Sequence, residues 1–372
     1  MVVVAGFSAQ VATVHRNYAG KWTGLFCIGA EQELPSLPSL SDAYRFPGSG
    51  FDGQFYLLIA HDPLGRREIP RYIDWPGLRY FRILMPALAG AASADDDSRL
   101  AAAYIGWNLA FLGLGVYWSA RFAELSGRPA WWGAGFALVP AVSISLDRLT
   151  VDLALLSLTA GVAYFWSAGR FGWAAALMAP AVLARETGIL IPAGFLVHFA
   201  LNREWRRLAI TALTTVPAGL WYALVASRLT TNAEHWLPAD RPFSDLWIHI
   251  RDYAPSPYPF PLDLFGRAVD LASLAGIGAA VWFCLVRLRR EDVGPMDWVA
   301  WAYSGLMVYL LGHDGWTHVY DYGRLLAPAL LWLMMLACGS RQWYLAAPAA
   351  AMTLRVWAQM TPQLLGILGW NR

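Results

Sequence analysis

"LAAAYIGWNLAFLGLGVYWSA", residues 100–120, is a run of 21 residues that contains no Asp, Glu, Lys or Arg. An α-helix of this length extends about 30 Å, which is the thickness of the hydrocarbon core of a bilayer. The apolar residues follow one another without the polar alternation that a half-exposed strand requires. The run therefore predicts a helix that crosses a membrane.

Similar apolar runs recur along most of the chain. Hydrophobic residues make up 57% of the 372 residues and charged residues 15%, against roughly 25% charged in an average soluble domain. We predict an all-α, polytopic transmembrane helical bundle of about 11 spans, because a membrane β-barrel would alternate apolar and polar residues. The formal net charge of +2 is too small to indicate a nucleic acid partner. The predicted spans are 1–14, 99–120, 130–146, 150–167, 171–184, 187–201, 208–228, 267–288, 297–311, 325–338 and 343–368.

The arginines indicate how the bundle is oriented. Ten of the 27 arginines fall in alternate short connections between spans, which is the positive-inside pattern. The pattern holds only if segment 78–93, which contains Arg79, Arg82 and Pro86, lies in the interface as a helix instead of crossing. The long segment 15–98 then faces the outside. The arginines of the predicted inner connections are Arg121, Arg128, Arg170, Arg203, Arg206, Arg207, Arg287, Arg289, Arg290 and Arg341.

Three regions follow from this arrangement. Residues 1–14 form a short first transmembrane helix, or the remainder of one whose first turns precede Met1. Residues 15–98 form an outer loop of interfacial helices, rich in Pro, Gly, Tyr and Trp and too weakly charged to be disordered. Residues 99–372 form the helical bundle, with outer loops at 229–266 and 312–324.

The outer segment contains the densest group of polar and aromatic residues, "GSGFDGQFYLLIAHDP" at residues 48–63. If it is helical, Phe55, Leu58 and Ile59 share one face by their spacing. Asp52 then lies at the start of the helix, where an aspartate commonly caps the backbone amides. A cap that faces an outer cavity can also act as a base, so both interpretations stay open.

Several stretches together resemble one family. "GFDGQFYLLIAHDP" (50–63) and "RYIDWPGLRYFRILMPALA" (71–89) look like the first outer loop of bacterial polytopic membrane glycosyltransferases of the GT-C superfamily, in particular those of cell-surface glycopolymer formation. "SLDRLTVDLALL" (145–156), "LARETGILIPAGF" (183–195) and "YDYGRLLAPAL" (320–330) fit the same pattern. The resemblance covers most of the chain and is stronger as a set than in any single motif.

The resemblance implies an activity and a location. Such enzymes lie in the bacterial inner membrane and take a sugar from a polyprenyl-phosphate carrier at the outer face. They transfer it to a glycan, lipid or protein acceptor, usually with inversion. One carboxylate acts as the general base on the acceptor hydroxyl, and the motif assigns this role to Asp52.

The remaining candidate residues serve the substrates. The phosphate of the donor calls for guanidinium groups, and Arg79, Arg82 and Arg324 are the candidates; Arg79 and Arg82 could instead extend toward lipid headgroups. Arg148 and Asp152 can form an ion pair across a turn, but Asp152 lies one turn into an apolar helix, where an ionisable residue usually faces a cavity. The predicted substrate-binding residues are Gln54, Tyr56, His61, Asp62, Arg79, Arg82, Asp152, Arg185, Glu186 and Arg324.

Metal and disulfide sites are not favoured. Some relatives bind a divalent cation such as Mg²⁺ or Mn²⁺ through a DxD-like pair, but neither "FDGQ" nor "AHDP" has that form. His313, Asp314, His318 and Asp321 match no recognised ligand spacing. The three cysteines are odd in number and far apart, which indicates unpaired thiols.

Two other functions compete with glycosyl transfer. A lipid-linked oligosaccharide polymerase or ligase would depend on arginine and histidine in the later outer loops, so the loss of Asp52 would matter little. A transporter or flippase of a glycolipid is expected to show repeated halves or paired helix breaks at mid-membrane, and the sequence shows no similarity between its halves.

Overall fold

A computed structural model describes residues 1–94, 96–229, 244–251, 262–306, 316 and 318–370 of the chain. Within these residues the chain is helical, with two isolated β-bridges and no strand, so the all-α prediction is confirmed for this part. The α-helices are α1 (Val2–Asn17), α2 (Gly53–His61), α3 (Pro76–Phe81), α4 (Leu84–Ser93), α5 (Leu100–Leu125), α6 (Pro140–Arg148), α7 (Asp152–Ser167), α8 (Phe171–Ala184), α9 (Leu190–Leu201), α10 (Trp205–Leu213), α11 (Val216–Arg228), α12 (Ser244–Arg251), α13 (Leu262–Arg287), α14 (Pro295–Trp301), α15 (Val319–Leu325), α16 (Ala327–Ser340), α17 (Ala347–Gln359) and α18 (Thr361–Leu368).

Three stretches of the described chain are long and apolar enough to cross a bilayer, which indicates a membrane protein. They are Asp97–Leu125, Trp205–Arg228 and Leu264–Arg287. A fourth is formed by α15 and α16 together, which are bent by 60° at a short break. Shorter apolar helices occupy the predicted spans 150–167, 171–184 and 187–201.

Some predicted spans are divided. Residues 130–146 do not form one helix, because a 3₁₀ helix at Ala130–Leu138 is followed by α6, which begins at Pro140. Proline lacks the amide hydrogen that a continuous helix would need and is tolerated at a helix start. The predicted span 343–368 is likewise divided into a 3₁₀ turn, α17 and α18.

Helix α7 lies at the centre of the bundle. Every residue from Asp152 to Tyr164 is buried, as expected for a helix that is apolar on all sides. It packs against α5, α6, α8 and α16. The N-terminus of α7 and the C-terminus of α6 meet at a tight turn, where Leu149 adopts a left-handed conformation with φ 45°.

The outer segment packs over this turn. Helix α2 lies against α4 and α5, and α3 lies against α11. The stretch expected to share one face through Phe55, Leu58 and Ile59 is helical, and all nine residues of α2 are buried, so its other faces are covered as well. The helix is covered by the bundle on one side and by the rest of the outer segment on the other.

The predicted interfacial helix at 78–93 is wrong in its detail. The chain forms two short helices, α3 and α4, and Arg82 lies in the turn between them. Arg79 and Arg82 are both buried, so neither extends toward a lipid headgroup. Their side chains are held by carboxylates inside the protein.

Candidate functional site

The backbone places Asp52 at the start of α2. Its φ and ψ of −49° and −35° are helical, and its side chain makes no capping hydrogen bond. A capping aspartate would have extended backbone angles and would accept from an amide of the first turn. The capping interpretation is therefore wrong, and the carboxylate is directed at other side chains.

Three arginines surround the Asp52 carboxylate. Arg79 Nη1 lies 2.8 Å from Oδ1, and Arg324 Nη1 lies 2.5 Å from Oδ2. Arg82 Nη1 is 4.0 Å from Oδ2 and also donates a hydrogen bond of 2.7 Å to the Tyr56 hydroxyl. The three arginines come from α3, the turn after α3, and α15, so a single carboxylate joins distant parts of the chain.

A second layer of ion pairs lies beneath. Arg82 binds Glu186 through two hydrogen bonds of 2.6 and 2.7 Å, and Glu186 Oε1 is 3.8 Å from Arg185 Nε. Arg185 Nη1 donates to Asp152, whose other oxygen lies 3.7 Å from Arg324 Nη1. The pairs form a closed circuit that begins and ends at Asp52.

We call these residues the arginine–carboxylate cluster. Four arginines face three carboxylates, so the formal charge of the cluster is +1. All of its side chains are 15% exposed or less, and ion pairs with so little water around them are screened weakly by salt. The members are Asp52, Arg79, Arg82, Asp152, Arg185, Glu186 and Arg324.

The cluster keeps Asp52 ionised. Burial by itself would raise the pKa of Asp52, but the charges of Arg79, Arg324 and Arg82 and the hydrogen bond from Arg324 together hold that pKa well below its usual range. The opposing effects are those of desolvation and of nearby opposite charge. The carboxylate is therefore an anion at any physiological pH.

Aromatic rings support two of the guanidinium groups. Arg79 lies over the Phe55 ring, with 4.8 Å between the guanidinium carbon and the ring centroid. Arg324 lies over Phe51 at 4.9 Å. Such cation–π contacts fix the plane of each guanidinium.

Four of the residues predicted to bind substrate lie outside the cluster as defined, and one of them, Tyr56, contacts it through Arg82. Gln54 accepts a hydrogen bond from the Gly29 amide and donates to Ser49 O, so it joins two parts of the outer segment. His61 bonds to Leu57 O and Ser39 Oγ, and burial lowers its pKa. Asp62 accepts from the amides of Arg66 and Arg67. These three side chains stabilise the outer segment. The predicted residues that the structure brings together are Asp52, Tyr56, Arg79, Arg82, Asp152, Arg185, Glu186 and Arg324.

Sequence reasoning missed two acidic residues at the rim of the cluster. Asp74 pairs with Arg79 at 2.8 and 2.9 Å, and Asp321 pairs with Arg324 at 2.6 Å. Their side chains are 41% and 29% exposed. Asp321 was within reach of prediction, because residues three apart on a helix face the same side, whereas Asp74 precedes the start of α3 and no helical spacing relates it to Arg79.

Arg148 and Asp152 lie on either side of the turn between α6 and α7. The predicted pair between Arg148 and Asp152 is wrong, because Arg148 binds Asp147 at 3.0 Å and Asp152 binds Arg185. The positive φ of Leu149 turns the two side chains in different directions.

Among the described residues, no three of His, Cys, Asp and Glu are grouped closely enough to hold a metal ion. His313, Asp314 and most of the loop 229–266 lie outside the described residues.

Comparisons with known protein families, with curated proteins and with solved structures find no match.

Proposed function

We propose that the chain is a membrane glycosyltransferase with a GT-C-like bundle of about 11 spans. It transfers a sugar from a polyprenyl-phosphate donor to a glycan, lipid or protein acceptor at the outer face of the bacterial inner membrane. The observation that carries the proposal is the convergence of Arg79, Arg82 and Arg324 on Asp52. The family resemblance of the same sequence stretches supports it.

The guanidinium groups of the cluster can bind an anionic donor in exchange for a rim carboxylate. With Asp74 and Asp321 counted, four arginines face five carboxylates, so a phosphate binds where one of these two carboxylates is displaced, and a guanidinium can hold phosphate oxygens through two parallel hydrogen bonds. Arg79 and Arg324 each hold one partner at the exposed rim, Asp74 and Asp321. Exchange of a rim carboxylate for the donor phosphate needs the least rearrangement, because the rim carboxylate can return to water.

In the proposed reaction, Asp52 takes the proton of the acceptor hydroxyl. The acceptor oxygen forms the new glycosidic bond to the anomeric carbon of the donor sugar. The bond from that carbon to the phosphate oxygen breaks, and the polyprenyl phosphate leaves with the electron pair. Arginines at the phosphate stabilise the charge that develops on the leaving group.

Donor binding also adjusts the basicity of Asp52. A carboxylate paired with three arginines is a weak base, because its pKa is far below the operating pH. When a phosphate with more negative charge replaces a rim carboxylate, Asp52 gains a stronger anionic neighbour and its pKa rises toward the usual range. The base becomes stronger only when a donor is present.

A transporter of lipid-linked glycans is the second candidate. The observation in its favour is the 60° bend between α15 and α16, since broken helices with charges beside the break occur at transporter binding sites. Arg324 lies three residues before the first residue of α16, Ala327, with Leu325 and Leu326 between them. The two candidates differ in whether a glycosidic bond forms.

The test is an Asp52→Asn variant reconstituted in vesicles with the lipid fraction of the native membrane. We expect it to retain folding and to lose transfer of labelled sugar to acceptor by at least about 100-fold, as is typical when a general base is removed. Asp42→Asn is the matched control, because Asp42 is an exposed aspartate of the same outer segment whose ion pair, among the described residues, is with Lys21. Its transfer rate should be unchanged.

Two outcomes would count against the proposal. Full transfer by Asp52→Asn would remove Asp52 as the base and would favour the polymerase or ligase alternative. Movement of the labelled lipid across the bilayer by the wild-type protein, with no new glycosidic bond, would favour the transporter.

A further inference from the structure

Two hollows lie beside the arginine–carboxylate cluster and meet at Arg148. One, of ≈ 510 Å³, is lined by the end of α1, by Tyr44 and Phe46 of the outer segment and by α18. The other, of ≈ 250 Å³, is lined by Phe51, Tyr320 and the end of α17. Arg148 and Gln359 line both of them, so the two hollows are direct neighbours.

An aromatic group forms one wall of the larger hollow. Tyr18, Tyr44 and Phe46 pack with ring centroids 5.0 to 5.2 Å apart. The guanidinium of Arg148 lies 5.4 Å from the Phe46 ring centroid. Tyr44 and Phe46 are only partly buried, so their rings offer an apolar surface beside polar groups, which is the composition of a small-molecule site.

Polar atoms without partners lie around the same hollow. Within the described residues, the Tyr18 hydroxyl, Arg148 Nη1 and Gln363 Oε1 are buried and form no hydrogen bond. Tyr18 as a whole is 2% exposed. Buried polar atoms are nearly always paired in folded proteins, so three of them at one hollow indicate a missing partner.

The mixture of donors and acceptors selects the class of partner. Arg148 Nη1 can only donate, Gln363 Oε1 can only accept, and the Tyr18 hydroxyl can do both. A phosphate or carboxylate ligand offers acceptors alone and would leave Gln363 unpaired. A sugar hydroxyl both donates and accepts, so it has the chemistry to pair with each of the three once a side-chain rotation turns that buried atom toward the hollow.

The charge at the hollow also disfavours an anion. Asp147 accepts from Arg148 Nε at 3.0 Å, from the Tyr320 hydroxyl at 3.2 Å and from Gln363 Nε2 at 3.4 Å. These bonds hold a fixed negative charge beside the unpaired atoms. The positive charge of Arg148 is thereby already neutralised.

We infer that the two hollows around Arg148 form a carbohydrate-binding subsite, with Tyr44 and Phe46 as the surface on which a sugar ring stacks. Phe51 lines the smaller hollow and precedes Asp52 directly, and the Arg148 carbonyl abuts Gly53. The subsite therefore lies beside the start of α2, where Asp52 is located. Its identification as the acceptor subsite rests on the proposed function.

The test places a photo-crosslinking residue in the subsite. Gln359→p-benzoylphenylalanine is introduced in the full-length protein, cells are illuminated, and the purified protein is analysed by peptide mass spectrometry. Gln359 is exposed and borders both hollows. Leu354, which is exposed on the same helix and lines neither hollow, is the matched control position.

We expect hexose-type mass additions at position 359 and none at position 354. Tyr44→Ala should weaken the carbohydrate adduct by about 2- to 10-fold, the range expected for loss of one aromatic stacking contact, and Tyr44→Phe should restore it. Phospholipid adducts at position 359, or no adduct at all, would overturn the inference.

The crosslinking result can be separated from the test of the proposed function. In an Asp52→Asn background the carbohydrate adduct should persist while transfer is lost, because binding does not need the base. Loss of transfer without any carbohydrate adduct would reject the subsite alone. An adduct together with full transfer by Asp52→Asn would reject the base assignment and keep the subsite.

Discussion

The ion pair between Asp152 and Arg185 is the most deeply buried part of the arginine–carboxylate cluster. The two side chains are 2% and 5% exposed. Charges taken so far from water are costly, and their mutual attraction offsets that cost only while both partners are present. The folded protein therefore tolerates each of these buried charges only with the other beside it, whether or not the pair contributes net stability.

Removal of one partner should show this dependence. We expect Asp152→Asn to lower the free energy of unfolding by about 3–5 kcal/mol, because the buried Arg185 loses its closest carboxylate and keeps only the more distant Glu186 at 3.8 Å. Thermal unfolding in detergent measures the change. Asp321→Asn, at the rim, is the comparison and should cost about 1 kcal/mol or less; equal losses for the two variants would contradict the argument.

The ionised state of Asp52 predicts a pH dependence of stability. Its pKa is lower in the folded protein than in the unfolded chain, so the folded state binds fewer protons and acid favours unfolding. The contribution of Asp52 is complete above the unfolded pKa of about 3.9 and is lost as the pH falls below it.

Melting curves of wild type and Asp52→Asn at several pH values test this. The difference in Tm between them should be constant from about pH 5 to 8 and should narrow below about pH 4. A difference that changes near neutral pH would show that Asp52 is not held as an anion by its arginines.

At the scale of elements, the position of Asp52 depends on how closely α2 approaches the turn after α6. A Cβ at Gly53 would lie 2.2 Å from the Arg148 carbonyl oxygen, which is shorter than any permitted contact. The oxygen belongs to the backbone and cannot turn aside. Gly53 thus sets the distance between α2 and the turn that precedes α7.

Gly53→Ala should therefore displace the start of α2. We expect loss of sugar transfer together with a lower melting temperature, since overpacking of this kind costs roughly 1–3 kcal/mol. Gly219→Ala in α11 is the control, because its Cβ would meet nothing within 4 Å and alanine favours a helix by about 1 kcal/mol. If Gly53→Ala left both sugar transfer and the melting temperature unchanged, the close contact with the Arg148 carbonyl would be able to relax.

At the scale of the whole molecule, the cluster joins four regions that are far apart along the chain. Asp52 and Arg324 are 272 residues apart and still form a hydrogen bond. Arg82 and Glu186 are 104 residues apart. The bundle brings together the ends of α2, α3, α7, α8 and α15, so the site exists only when the whole bundle has assembled.

The orientation of the bundle can be measured by cysteine accessibility. In a variant without the three native cysteines, Ser49→Cys should react with an impermeant thiol reagent added outside the cell, and Trp205→Cys only after permeabilisation. Both native side chains are exposed. Gly50 is unsuitable because it has φ +82° and a Cβ there would lie 2.4 Å from the Gly29 amide. The reverse labelling pattern would place the cluster at the inner face.

The helices and several residues of the cluster could be predicted from the sequence, because both depend on short stretches of the chain. Uninterrupted apolar runs lead to buried helices such as α7, and an ionisable residue within such a run, as Asp152 is, needs a partner or a cavity. Asp152, Arg185 and Glu186 could therefore be singled out by type and position, whereas Arg79, Arg82 and Arg324 were chosen for the phosphate that the family resemblance implies.

The partners of these residues were decided by tertiary structure alone. Arg148 and Asp152 are four apart and could have paired, but the left-handed turn at Leu149 separates them and Arg185 binds Asp152 instead. A pairwise contact in a bundle depends on the packing of helices that are distant in the chain, and no local spacing records it. The same holds for Asp52, which local propensity assigns to a helix cap and which the packed arginines turn into the centre of an ion-pair network.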